Sequence, residues 1–236
     1  DFVGSNSANV LTLTSSGIST FTTGSTLDAA TLDLLTQTVA LTGDNLVDTI
    51  EVKLANGTTL TLSGDDTIGT LISNGGTIAG TGILTAAGGA TLNGGTVSGN
   101  LRGNTTSTAD LLVSGSLGGG FLNVTGGTLT LTGTSTNTPV TIFANAALLD
   151  SNGGLDSSAA VINAGLLTVN APDTVSTYTQ NGAGTLAGTA PLTATNGATL
   201  NGGTVSGNLQ ANIVSTGNVL VSGTIGGGSL SVTGGT

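Results

Sequence analysis

Residues 89–128, GATLNGGTVSGNLRGNTTSTADLLVSGSLGGGFLNVTGGT, return at residues 197–236 as GATLNGGTVSGNLQANIVSTGNVLVSGTIGGGSLSVTGGT, without a gap and at a fixed offset of 108. Of the 40 paired positions, 29 are identical. The shared residues are Gly, Thr, Ser, Asn and aliphatics, which build turns and cores but do no chemistry unaided. Between the copies, aliphatic positions change only conservatively, as in Leu117 to Ile225 and Leu111 to Val219. Polar positions change freely: Arg102 becomes Gln210, Asp110 becomes Asn218, Phe121 becomes Ser229 and Asn123 becomes Ser231. The repeat therefore reads as retained core and corners under a drifting surface.

The duplication extends upstream. Residues 56–86, NGTTLTLSGDDTIGTLISNGGTIAGTGILTA, match residues 163–194, NAGLLTVNAPDTVSTYTQNGAGTLAGTAPLTA, at an offset of 107 that becomes 108 after one added residue near Ala183. This divides the chain into the end of a preceding unit (1–20), a first unit (21–128) and a second unit (129–236), read together as one continuous solenoid. A shorter period lies beneath. Gly followed by Thr or Ser recurs at Gly57, Gly76, Gly95 and Gly115, and again at Gly184, Gly203 and Gly223, at spacings of 19 or 20. Such an interval is too short for a domain but suits one coil of a stacked repeat.

Within each interval the residues alternate, as in Val10-Leu11-Thr12-Leu13 and Thr128-Leu129-Thr130-Leu131, the period of a strand with one buried face. Alternation places Leu92, Val97, Leu101, Leu112, Leu122 and Val124 inward, with Asn-Gly pairs at Asn74, Asn93 and Asn201 supplying corners. Short aliphatic strands cannot stand alone, but each finds parallel partners if every coil stacks on the one before. The expected fold is all-β, a right-handed parallel β-helix with coils of about 19–20 residues in two tandem units of about 108. About a dozen coils would extend roughly 55–60 Å at one strand spacing per coil. Asn93 with Asn201, or Asn100 with Asn208, are candidates for amide ladders running from coil to coil.

Composition narrows the alternatives. The chain has 41 Gly, 2% aromatic residues, and no Trp, Met or Cys, too little for an ordinary globular core. Its 6% charge and positive mean hydropathy separate it from a disordered chain. Net charge is −10, with Lys53 and Arg102 the only cations, which excludes nucleic acid as a partner. No apolar run approaches the roughly 20 residues of a membrane-spanning helix. Five aromatic residues are too few for the girdles of an outer-membrane barrel. The opening DFVGSNSANVLTLT has no basic region followed by an apolar run, so the chain reads as a processed or excised window of a longer array.

Candidate chemistry is sparse. A carbohydrate-active β-helix needs clustered carboxylates, and Asp65-Asp66 is the only adjacent pair, with Pro172-Asp173 as its counterpart. Residues 62–68, LSGDDTI, are faintly similar to the calcium-binding nonapeptide of toxin β-rolls, with Asp44, Asp48, Asp65 and Asp66 as weak calcium candidates. That motif would recur every nine residues, and here it occurs once, so no metal, cofactor or catalytic residue is assigned. GGG at 118–120 and 226–228 is followed by no Lys and opens no helix, so it is a turn and no phosphate loop. Outward pairs Thr12 with Thr14, Thr59 with Thr61, and Thr128 with Thr130 would order water on ice only if they stacked in register over many coils.

The phrases GTTLTLSGDDTIGTLISNGGTIAGTGILTA and GATLNGGTVSGNL resemble the Gly/Thr/Asn-rich strand repeats of bacterial surface proteins, namely autotransporter passengers and filamentous-haemagglutinin-like adhesins. The resemblance covers roughly residues 56–236. It implies export, β-helical folding outside the cell, and adhesion, aggregation or biofilm formation through self-association or contact with a host or neighbouring cell. Neither a secretion-domain motif nor a C-terminal barrel accompanies it. The expected function is a non-enzymatic extracellular rod or fibre at a bacterial surface, with end-to-end assembly into a filament or biofilm matrix as one expected form. A carbohydrate-active enzyme or polysaccharide-binding module is the alternative, and an ice-binding solenoid a minor one. Residues 21–55 and 134–162, where the period breaks, are the expected places for projecting loops that carry a receptor site.

Overall fold

A computed structural model of the chain describes residues 5–13, 17–21, 26–35 and 37–235. Thr14, the second member of the first Thr pair, lies outside them. The described residues hold strands of 2 to 10 residues and no helix, and these strands pair in parallel. The result is a parallel β-solenoid, in two compact units, Asp1–Gly119 and Gly120–Thr236.

One coil of the first unit shows the plan. Ile83–Ala86 forms a third face, Ala90–Leu92 a first face and Gly95–Val97 a second face; the chain then turns and repeats with Asn100–Arg102, Thr105–Ser107 and Leu111–Val113. Each strand bonds its equivalent one coil on, Leu84 facing Leu101, Ala90 facing Thr105 and Val97 facing Val113. In the second unit the chain passes from third to first face within one long strand, Pro191–Leu200 and again Asn208–Ser215. Each unit carries six strands on its second face, hence six coils.

Alternation and stacking together build the core. On the second face, Val39, Leu60, Ile78, Val97 and Val113 form one inward column of the first unit, and Leu129, Leu148, Leu167, Leu186 and Val205 one of the second; all are buried. Burying each such side chain stabilises the fold by about 1.5–3 kcal/mol. Because every inward residue touches its equivalents above and below, a thin aliphatic core suffices without aromatic bulk.

The duplication recurs in structure, with the strands at 203–205, 219–221, 224–226 and 230–232 repeating those of the first copy and the others merged into longer strands. Seven strands of the first copy, from Ala90–Leu92 to Leu122–Val124, have counterparts displaced by 108, from Ala198–Leu200 to Leu230–Val232. Five of the six expected inward residues, Leu92, Val97, Leu101, Leu122 and Val124, are fully buried. Leu112 is the exception. It is 40% exposed, because it faces outward-pointing Thr96, while Leu111 and Val113 on either side point in.

Coil length is less uniform than the glycine spacing suggests. Registers step by 19 on the second face from Ala147 through Leu166 and Thr185 to Thr204, but by 15 from Ala90 to Thr105 and from Ala198 to Ile213. Both copies of the repeat thus contain the same short coil. Gly95 stacks on Gly76 and Gly203 on Gly184, but Gly115 stacks on Gly99 and Gly223 on Gly207. The last interval of each glycine series is therefore a short coil plus a step to the next corner. Residues 26–54 and 134–163 also differ from expectation: they form ordinary strands, including Thr26–Leu34, Thr38–Leu41, Val140–Ile142 and Ala160–Asn163, stacked at 20 or 21 residues. Their period breaks because these coils are longer, with turns at Leu46 and Leu155 in place of a third-face strand.

Candidate functional site

The third face of the first unit carries a cluster of charges. Asp44, Asp65, Asp66, Thr67, Ile83, Thr85 and Arg102 line a groove of about 370 Å³. Stacking explains it. Thr67 faces Thr85 one coil on, and Thr85 faces Arg102, so outward residues of three successive coils line up. Asp44 reaches the groove from the turn before Leu46, where the third face has a single bridge residue instead of a strand.

Of the four calcium candidates, Asp44, Asp65 and Asp66 are brought together and Asp48 lies outside the lining. Their oxygens are not equally open. Asp65 is exposed, and its Oδ1 accepts the Ile83 N–H at 2.9 Å. Asp66 is buried at the head of an inward column that continues through Leu84, Leu101 and Leu117. Its Oδ2 accepts the N–H groups of Asn45 at 3.0 Å and Leu46 at 3.2 Å. Those donors belong to the turn that lacks a strand partner, so the carboxyl serves where a sheet carbonyl would otherwise stand. Burial pushes Asp66 up to about 7; the N–H groups of Asn45 and Leu46 oppose the rise and Asp44 adds to it. Among the described residues no group of three or more His, Cys, Asp or Glu side chains is placed to hold a metal.

The second unit tests which of these residues belong to the scaffold. Asp173 occupies the place of Asp66, again buried, again heading a column (Leu192, Leu209, Ile225) and again accepting a turn N–H, that of Leu155 at 3.1 Å. The rest of the groove changes: Pro172 stands for Asp65 and Gln210 for Arg102, and the turn 151–154 reads SNGG with no carboxylate. Asp66 is thus a structural carboxyl common to both units. The exposed charges Asp44, Asp65 and Arg102 are particular to the first.

Chemically, paired carboxylates cleave a glycosidic bond when one stays protonated and the other is free to attack or activate water. Here the protonatable member, Asp66, is turned inward and engaged by backbone donors. The groove presents Asp65, Asp44, two threonines and one arginine outward, a set suited to hydrogen bonding with hydroxyl-rich ligands.

Polar side chains tie successive coils together. The asparagine ladder is present: Asn93 Nδ2 donates to Asn74 Oδ1 at 2.7 Å and Thr108 donates to Asn93 Oδ1, and Asn201 repeats this with Asn181 at 2.8 Å and with Thr216. Asn100 instead donates to the Thr81 carbonyl at 3.1 Å, and Asn208 accepts from Gln210 at 2.6 Å. Missed altogether was a buried chain in the second unit. Asn163 donates to the Tyr178 hydroxyl at 3.0 Å, which donates to Gln180 Oε1 at 2.8 Å, whose amide reaches the Gly202 carbonyl at 2.9 Å. Burial drives the Tyr178 hydroxyl upward from its ordinary range. Its inward place between Thr177 and Thr179 was the available signal.

Leu230 is 56% and Val232 63% exposed, and with Leu200, Val219, Val221 and Ile225 they line an apolar cavity of about 120 Å³.

Comparison with known proteins finds no matching family model, no matching curated protein and no matching solved structure.

Proposed function

We propose that the chain is a structural and adhesive segment of an extracellular fibre at a bacterial surface, with no catalytic task. The observation that carries this reading is what the two copies share. Seven strands, the stacked glycines and the asparagine ladder are kept, whereas Arg102, Asp110 and Asn123 are replaced on the outside. A site repeated in every unit would have kept its outward groups. The resemblance of the Gly/Thr/Asn-rich repeats to bacterial surface proteins supports the location.

Sedimentation velocity and negative-stain microscopy of the full chain at micromolar concentration test this. End-to-end species that lengthen with concentration are expected. Short particles of one size at all concentrations would overturn self-assembly.

The groove of the first unit favours one second reading, a polysaccharide-binding face built on Asp44, Asp65 and Arg102. It predicts glycan-array binding that Asp65→Ala and Arg102→Ala each abolish. Polysaccharide cleavage lost on changing Asp65 and Asp66 would instead overturn the non-enzymatic assignment.

A further inference from the structure

The second unit contains only four side chains that titrate as acids, Asp150, Asp156, Asp173 and Tyr178, and no Lys, Arg or His. Two of the four meet in its interior. Asp150 ends the second-face strand Ala147–Asp150 and points inward, in column between Leu131 and Val169, with no exposure to solvent. Its Oδ1 accepts three N–H groups of the following turn, Asn152 at 3.3 Å, Gly153 at 3.1 Å and Gly154 at 3.1 Å. Its Oδ2 is buried and receives no N–H or hydroxyl donor. Within hydrogen-bonding reach lies the carboxyl of Asp173, 6% exposed, which accepts the N–H groups of Leu155 at 3.1 Å and Thr174 at 2.7 Å.

The first unit shows the alternative to this arrangement. There the same turn is organised from its other end by a neutral amide: Asn45 Oδ1 accepts the N–H groups of Thr42 at 3.0 Å and Gly43 at 3.1 Å, and Leu41 fills the core. In the second unit Gly154 stands at the place of Asn45, and Asp150, at the place of Leu41, takes over its task. One of its oxygens suffices for the turn. The other is left facing a second buried carboxyl, and two ionised carboxylates in contact, without a cation, repel strongly.

We propose that Asp150 and Asp173 form one proton-holding pair, in which the carboxylic acid of Asp173 donates to Oδ2 of Asp150, and that losing this proton loosens the turn of the second unit. The geometry satisfies the one buried oxygen that has no other donor. Burial, then the hydrogen bond and charge of Asp150, hold Asp173 above the ordinary carboxylate range. The second unit holds no Lys, Arg or His to offset the charge of the pair. Leu131, Val169 and Leu192 are its neighbours in column and carry no charge; Asp156 is half-buried and bonded to Ser158, and Tyr178 is engaged with Asn163 and Gln180. An acid whose folded pKa is raised adds stability that is complete below its unfolded value, roughly 4, and is lost as pH rises through the folded value.

Urea unfolding of the full chain at pH 5 and pH 8, for the natural sequence and for Asp173→Asn, tests the pair. The amide of Asn donates to Asp150 at any pH, so the variant should keep more of its pH 5 midpoint at pH 8 than the natural chain does. Asp66 titrates in the same range in both proteins, so the difference between them is the readout. Parallel losses in the two proteins would overturn the proposal. Carboxyl carbon NMR of the natural chain gives a reading independent of any variant: Asp173 should titrate well above the ordinary carboxylate range, and titration within it would refute the pair. Recovery of the pH 8 midpoint by millimolar calcium chloride would show a cation site instead, which also overturns the proposal.

Discussion

Gly95 and Gly203 adopt φ of +99° and +88°, and a Cβ at either would overlap the carbonyl oxygen of the glycine one coil below, Gly76 or Gly184. Conformation and contact both demand glycine there. Gly95→Ala should therefore cost at least about 1–3 kcal/mol, read as a lowered urea midpoint. Leu101→Ala, in a fully buried column, should cost about 2–5 kcal/mol, whereas Leu112→Thr on the surface should stay within about 0.5 kcal/mol. Leu112 also marks where sequence reasoning runs out. In Leu111-Leu112-Val113 all three residues are apolar, so alternation does not say which faces the core. Only the pairing of Thr96 with Leu112, a contact between coils, decides it.

At the scale of the strand and corner, the polar side chains act as ties between successive coils. Asn93 donates to Asn74 and accepts from Thr108, joining three coils through one amide. Asn93→Ala removes both bonds, an expected loss of about 1–2 kcal/mol on the basis of about 1 kcal/mol per hydrogen bond. Asn201→Ala should behave alike, because its partners Asn181 and Thr216 repeat the arrangement. A loss at one site only would show that the copies are not equivalent. These ties were legible, since Asn-Gly pairs recur at coil spacing. The role of Asp66 and Asp173 was not. A carboxylate in a turn segment reads as solvated, and its inward direction follows from the missing third-face strand at Leu46 and Leu155, which no local pattern announces. For the same reason the groove of Asp44, Asp65 and Arg102 could be read only as scattered residues: they lie 21 and 37 apart in the chain and meet because coils stack.

For the molecule as a whole, the solenoid class followed from the 108-residue duplication and from strands too short to stand alone. The lengths of individual coils did not, because Gly recurs at corners of different faces and its spacing mixes whole coils with fractions of one. The account rests on register, and register is directly measurable. The chain has no cysteine, so pairs can be introduced without interference. Thr96→Cys with Leu112→Cys places two outward thiols in adjacent positions across a 16-residue coil, within the Cα separation of about 4.4–6.8 Å that a disulfide requires. Thr96→Cys with Ser116→Cys tests the 20-residue coil that the glycine spacing would suggest. Under mild oxidation the first pair should close within the chain and the second should remain free thiols; closure of the second pair and failure of the first would contradict the stacking described here.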